Sequence, residues 1–303
     1  MPTRRALLTL PLAYAARSAY AARSAYAASP EVPDVLGVRE IDVPTPGPFG
    51  RKCLLLRPKR VPDDVPLPLL VLLHGLGETS SEALGIRAWY DRYGLPQAYA
   101  RLLAPPVQRT LPRERYLSDE RLDEINRDLA QAPLEPLALV CPFTPNVFQK
   151  NPSAPFLDRY ADYLEQALLP AVRAATPTLD GSAHTGLDGV SLGGYVAFEV
   201  FLRKAQLFGV IGCMQGAFGM ALAEVYARRT AEVTARYGPR AIHLTTSSYD
   251  PFRDATQRLA KRLQERSVSA TLTLAAGPHD QRFLREVGTL EMLLFQARAL
   301  HRF

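Results

Sequence analysis

The chain reads as an α/β protein, a mainly parallel sheet with helices on both faces, and three observations carry that reading. From residue 68 to the end, short apolar runs alternate with stretches of helical period, the order that a parallel sheet with helical crossovers requires. Two of those runs, 69–73 and 137–142, are continuously apolar, as strands buried on both faces are. Between a strand-like lead-in at 184–188 and the apolar run 195–201 stands Gly189-x-Ser191-x-Gly193, the pattern of a strand that turns into a helix so sharply that the serine is pushed outward. The glycines answer to that geometry, because a Cβ on either side of the serine strikes the other arm of the turn.

With 303 residues, 47% of them hydrophobic and 22% charged, the chain has apolar material for one sizeable core, and one domain over 30–303 fits better than two small ones. The net charge of +6 comes from 36 basic and 30 acidic residues spread along the sequence with no dense basic block, which argues against a nucleic-acid surface. Cys53, Cys141 and Cys213 lie in or beside apolar runs without C-x-x-C spacing and read as buried free thiols. The histidines at 74, 184, 243, 279 and 301 form neither an H-E-x-x-H pair nor a Cys/His cluster, so no zinc site is expected and no cofactor is implied.

Residues 1–29 are set apart from the fold. Arg4-Arg5 precedes an apolar stretch, and Ala25-Tyr26-Ala27 offers a small-x-small pattern, which together read as an export signal with cleavage near Ala28 and a secreted or periplasmic location. The hexad Ala-Tyr-Ala-Ala-Arg-Ser occurs at 13–18 and again at 19–24, and Arg17 and Arg23 break the apolar run, so no membrane-spanning helix is expected. The alternative is an Ala-rich tail on a cytoplasmic protein.

The remaining elements follow in order. Strands are predicted at 35–43 and 52–56, separated from each other and from the next strand by proline-rich turns. The apolar strand 69–73 runs into His74-Gly75-Leu76-Gly77-Glu78-Thr79, a glycine-rich loop whose backbone N–H groups can face an anion. It lacks the Lys-Ser/Thr tail of a phosphate-binding P-loop. Residues 80–103 have helical period and include Trp89, the sole tryptophan, placed in packing or at a cleft. The charged, proline-rich stretch 105–136 carries one short amphipathic helix near 118–129. It reads as an excursion over the sheet edge, either a partial cap or, preferred, a solvated helix without a part in substrate choice. After strand 137–142, apolar residues at 157, 160, 164, 168 and 172 mark a helix over 156–175. Strand 208–214, helix 220–236, strand 241–246, helix 253–265, strand 270–275, the loop 277–280 and a last helix complete the count.

In a parallel sheet the ligand site lies beyond the carboxyl ends of the strands, and His74-Gly75-Leu76, Ser191, Asp250 and His279 all fall just past predicted strand ends. Their types fit nucleophilic catalysis: a serine hydroxyl attacks only when a neighbouring base takes its proton, and a histidine can take it and return it. Three aspartates compete to orient that histidine. Asp280 is adjacent to His279, and neighbouring side chains on an extended segment point apart. Asp254 is accounted for at the start of a helix. Asp250, stiffened by Pro251 just past strand 241–246, is the expected acid, with Asp254 the alternative. His74 is assigned to loop structure, His184 to a surface turn and His243 to strand packing.

The pieces Leu72-Leu73-His74-Gly75, Tyr160 to Leu164 with Leu169 to Val172, Gly189 to Gly194, Tyr249-Asp250-Pro251-Phe252 and Gly277-Pro278-His279-Asp280 with Phe283 together resemble the α/β-hydrolase superfamily. Within it they are similar to the esterase group that includes esterase D, enterochelin esterases, feruloyl and acetyl-xylan esterases and the mycolyltransferases. The resemblance spans about residues 50–300 and implies the α/β-hydrolase fold and carboxylic-ester hydrolysis of small-molecule or polysaccharide-linked esters. It implies Ser191 as nucleophile, His279 as general base and Asp250 as the orienting acid, with the N–H groups of Leu76 and Leu192 as the oxyanion hole. Two departures, the charged stretch 105–136 and Gln215-Gly216-Ala217-Phe218 where relatives often have Ser-Gly-Ser, leave the substrate open but not the reaction class. An acyltransferase on the same machinery and a non-catalytic carbohydrate-binding protein on a hydrolase fold are the alternatives.

Overall fold

The computed structural model describes residues 32–44, 47–149 and 154–302. The stretch 1–29 read as an export segment lies outside them. The strands are β1 Leu36–Asp42, β2 Lys52–Pro58, β3 Leu69–Leu73, β4 Ala138–Pro142, β5 Thr185–Gly189, β6 Val210–Met214, β7 Ala241–Tyr249 and β8 Thr271–Pro278. They form one sheet in the order β1-β2-β4-β3-β5-β6-β7-β8. The β1–β2 and β2–β4 pairs are antiparallel, and every pairing from β4 to β8 is parallel. This is the mainly parallel sheet that the alternation of runs implied, in the α/β-hydrolase arrangement that the resemblance implied.

The helices are α1 Glu82–Asp91, α2 Leu95–Leu103, α3 Asp119–Gln131, α4 Ala154–Tyr163, α5 Leu169–Ala175, α6 Leu192–Phe201, α7 Met220–Tyr237, α8 Arg253–Gln264 and α9 Thr289–Leu300. Side chains alternate across a strand, and β3 shows what that does for the core. Leu69, Val71 and Leu73 enter one apolar cluster with residues of α4 to α8, while Leu70 and Leu72 enter a second with residues of α1, α2, α3 and α9. Both faces of the central strands are therefore buried, which is why β3, β4 and β6 are apolar throughout.

Several expectations are corrected. The helical stretch 80–103 is two helices, because Gly94 takes a left-handed φ of 72° at the start of α2. Of the two places open to Trp89, it takes the core, where it is fully buried. The helix expected over 156–175 is interrupted by a π-helical turn, Leu164–Leu168, just before Pro170, which has no N–H to donate. Strand β8 runs on to Pro278, three residues past its expected end, so His279 leaves directly from the sheet. Finally, α3 is a docked helix: Ile125 and Leu129 are buried in the second cluster, and Arg121 reaches the buried carboxylate of Glu291 on α9 with bonds of 2.7 and 2.6 Å.

Candidate active site

Ser191 stands between β5 and α6 with φ 57° and ψ −116°, a conformation that a residue with a Cβ adopts only when its surroundings enforce it. Three backbone bonds enforce it: Ser191 N–H to Met214 O at 2.9 Å, Gly193 N–H to Val190 O at 2.8 Å and Ala217 N–H to Ser191 O at 2.9 Å. The close approach of the two arms leaves no room for side chains. A Cβ on Gly193 falls 2.6 Å from His74 O, and one on Gly189 falls 2.9 Å from Gly194 N.

His279 approaches from β8, its Nε2 3.0 Å from Ser191 Oγ and its Nδ1 2.9 Å from Asp250 Oδ1. The carboxylate of Asp250 can only accept, so Nδ1 carries the hydrogen and Nε2 is free to accept from the serine hydroxyl. Asp250 is itself fixed. Its side chain is fully buried, Thr246 Oγ1–H donates to Oδ2 at 2.6 Å, and Phe252 N–H donates to Oδ1 at 3.1 Å. The Phe252 ring packs edge-on against His279, centroids 5.6 Å apart.

The competing acids stand elsewhere. Asp254 is exposed in the first turn of α8 and pairs with Arg253, and Asp280 caps the helical turn 281–283 by accepting from Phe283 N–H at 2.9 Å. Leu76 opens a short 3-10 turn after β3, and Leu192 is the first residue of α6. Among the described residues neither of their N–H groups has an acceptor, so both are available to an anion.

His74 is wholly buried and braces this loop. Its Nδ1–H donates to Gly75 O and its Nε2 accepts from Thr144 N–H, each at 2.9 Å, and burial lowers its pKa to about 4, which keeps the ring neutral. His184 bonds Leu300 O at 3.3 Å, and His243 stacks on Phe295 with centroids 4.5 Å apart. Both are remote from Ser191 in the bonding pattern. Two residues whose part the sequence did not show brace the loop. Tyr93 Oη accepts from Gly75 N–H at 3.1 Å and donates to Glu78. Burial pushes the Glu78 carboxyl up, while Tyr93 and Arg92 hold it down. Only tertiary packing brings Tyr93, at the exit of α1, next to the loop, so no local pattern could have shown its bond to Glu78.

Among the described residues no group of three or more His, Cys, Asp or Glu could hold a metal, and no helix is long and apolar enough to cross a membrane. The three cysteines are free and buried.

A family model described as "Putative esterase" matches residues 143–297. Among solved structures, the feruloyl esterase module of Clostridium thermocellum is 14% identical, covering 91% of this chain and 94% of its own, with a TM-score of 0.60. S-formylglutathione hydrolase of Staphylococcus aureus is 15% identical over 88% of this chain and 100% of its own, TM-score 0.55. The enterobactin esterase of Shigella flexneri is 17% identical over 89% of this chain and 61% of its own, TM-score 0.55. At these identities the likeness is one of fold. No curated protein matches the chain by sequence.

Proposed function

The chain belongs to this esterase family and is a serine carboxylic-ester hydrolase, and on that premise we propose that it works through an acyl-enzyme on Ser191, with His279 as general base and Asp250 as the acid that orients it. The observation that carries the reading is the continuous line of contacts from Ser191 Oγ to His279 Nε2 at 3.0 Å and from Nδ1 to Asp250 Oδ1 at 2.9 Å.

In the first step Ser191 Oγ attacks the ester carbonyl as its proton passes to His279 Nε2. The carbonyl oxygen becomes an anion and is received by the N–H groups of Leu76 and Leu192, each such donor stabilising the transition state by roughly 3–4 kcal/mol. The imidazolium, held by the buried Asp250 carboxylate, gives its proton to the leaving alcohol. Water then repeats the cycle against the acyl-serine and regenerates the enzyme. The substrates proposed are small-molecule or polysaccharide-linked esters. We further propose that the mature enzyme acts outside the cytoplasm, on the strength of the basic-then-apolar start and the Ala25-Tyr26-Ala27 pattern.

The test is a set of three variants assayed on p-nitrophenyl acetate and with a fluorophosphonate probe. Ser191→Ala is expected to abolish turnover and labelling while leaving the melting temperature nearly unchanged. Asp250→Asn is expected to lower kcat by about 10³–10⁴-fold, and Asp254→Asn to stay near wild type. Ser191→Ala activity within about tenfold of wild type overturns the nucleophile assignment. A crippled Asp254→Asn beside an active Asp250→Asn moves the acid one helical turn further on.

A further inference from the structure

We infer that Gln215 is a positioning residue for the reaction, one that sets where His279 stands relative to Ser191; the inference rests on the Ser191, His279 and Asp250 reading above. Ser191 leaves the sheet from β5 and His279 from β8, with β6 and β7 between them. The distance across which the proton moves is therefore fixed by whatever ties those strand ends together.

The ladder reaches that end only through an irregularity. Strands β7 and β8 pair regularly up to Ser247 opposite Ala275, and the next pair is Tyr249 opposite Pro278, so β8 carries one residue more than its partner. Such a bulge leaves the extra residue unpaired and bends its strand, and Gly277 within it takes a φ of 132°. The carbonyl of Pro278, one residue before His279, is also held by side chains. Gln215 Nε2 donates to Pro278 O at 3.0 Å and to Ser247 Oγ at 2.8 Å, and Ser247 Oγ lies 3.3 Å from the same carbonyl. Both amide hydrogens of Gln215 are thus spent on the ends of β7 and β8.

The backbone of the same segment clamps the nucleophile. Met214 O accepts from Ser191 N–H and Ala217 N–H donates to Ser191 O, each at 2.9 Å, while Gln215 N–H bonds Thr245 O at 2.6 Å. Residues 214–217 therefore grip Ser191 through the main chain and Pro278 through one side chain. Gln215 is completely buried and has a φ of 47°, a left-handed conformation that glycine or asparagine enters more easily. Neither of those has a side chain long enough to span to two further strands. Its Oε1 has no partner among the described residues, so an unpaired polar atom stays buried for the sake of the two donors.

The test removes the donors and keeps the length. Gln215→Met is expected to lower kcat on p-nitrophenyl acetate about 100-fold, the cost of misplacing a catalytic group by an ångström or so. KM is expected to stay within about threefold, since only a transition-state contact is lost, and the rate of fluorophosphonate labelling is expected to fall with kcat. Ser247→Ala is expected to lower kcat by itself, and the double variant to be little worse than Gln215→Met, because the two side chains act on one carbonyl. A Gln215→Met kcat within about threefold of wild type overturns the proposal, as does a raised KM with kcat retained, which makes Gln215 a wall of the substrate cleft. Fully multiplicative effects of the two substitutions also overturn it. Should Gln215→Met not fold, Ser247→Ala decides alone: a wild-type kcat there defeats the proposal, and a reduced kcat with unchanged KM sustains it. Ser191→Ala run alongside separates the two failures. If it stays active the catalytic reading falls and the role of Gln215 with it, whereas an inactive Ser191→Ala beside a wild-type Gln215→Met removes the Gln215 proposal only.

Discussion

Three residues before Ser191, in β5, Asp188 is buried, and among the described residues no cation pairs with it. Gly189 N–H donates to its Oδ1 at 2.7 Å and Gln296 Nε2 to its Oδ2 at 2.9 Å, yet desolvation dominates and raises its pKa from 3.8 to about 7. The folded protein thus holds this proton more tightly than the unfolded chain does. Well below pH 4 both states are protonated and the carboxyl is neutral to stability; as pH rises the unfolded chain ionises first, and stability falls until the folded carboxyl has ionised too, above about pH 7, where the penalty levels off at on the order of 4 kcal/mol. Asn at this position has no charge to bury, can accept from Gly189 N–H and, once the Gln296 amide flips, can donate to Gln296 Oε1, which has no partner among the described residues. Asp188→Asn is therefore expected to gain stability over wild type progressively from pH 4 to pH 8, read as the difference in melting temperature. A gain that is equal at both ends of that range refutes the buried-carboxylate account. Ser191, Asp250 and His279 were legible in the sequence because each follows a strand end, where a parallel sheet presents its chemistry. Gln215, Tyr93 and Glu78 were not, since their partners are set by packing: Gln215 meets Ser247 and Pro278 at separations of 32 and 63 residues, beyond any local period.

Among the elements, α3 is where a local reading of the sequence fails most instructively. Its polarity reads as solvation, because only Ile125 and Leu129 are buried and the pattern of charges gives no hint of a partner. What docks it is Arg121 on Glu291, whose side chain is 2% exposed, with Arg298 on α9 reaching back to Asp128 at 3.1 Å. Removing the cation leaves an unpaired buried carboxylate, so Arg121→Ala is expected to cost about 2–3 kcal/mol, less than for a fully buried pair because the arginine is partly exposed. Glu291→Gln placed in that background is expected to recover much of the loss, as urea denaturation can show. A loss for Arg121→Ala of less than about 0.5 kcal/mol makes the pair ornamental. The same limit explains the other element-scale differences. Hydrophobic period predicts where strands and helices lie, but the break at Gly94, the π-helical turn before Pro170 and the bulge that lengthens β8 answer to neighbours in space.

At the scale of the molecule, the central parallel strands put Ser191, Asp250, His279 and the loop of Leu76 on one edge of the sheet, and the family-model match at 143–297 covers all of these but the loop. The fold class was legible because a doubly covered parallel sheet demands long apolar runs alternating with helices, a constraint on composition as much as on order. The export reading of 1–29 makes a separate prediction: N-terminal sequencing of protein recovered from outside the cytoplasm is expected to start near Ala28, and recovery with the hexads of 13–24 intact counts against it. The order of the strands has a further consequence for the life of a growing chain. The proposed nucleophile and its base are 88 residues apart, with the serine made first, and at translation rates of about 5–20 residues per second several seconds separate them on the ribosome. During that interval the nascent protein has its serine but no histidine to activate it. The edge strand that delivers the proposed base follows every other strand of the sheet in sequence, so on the proposed mechanism a chain cut short before residue 279 carries the nucleophile without its base.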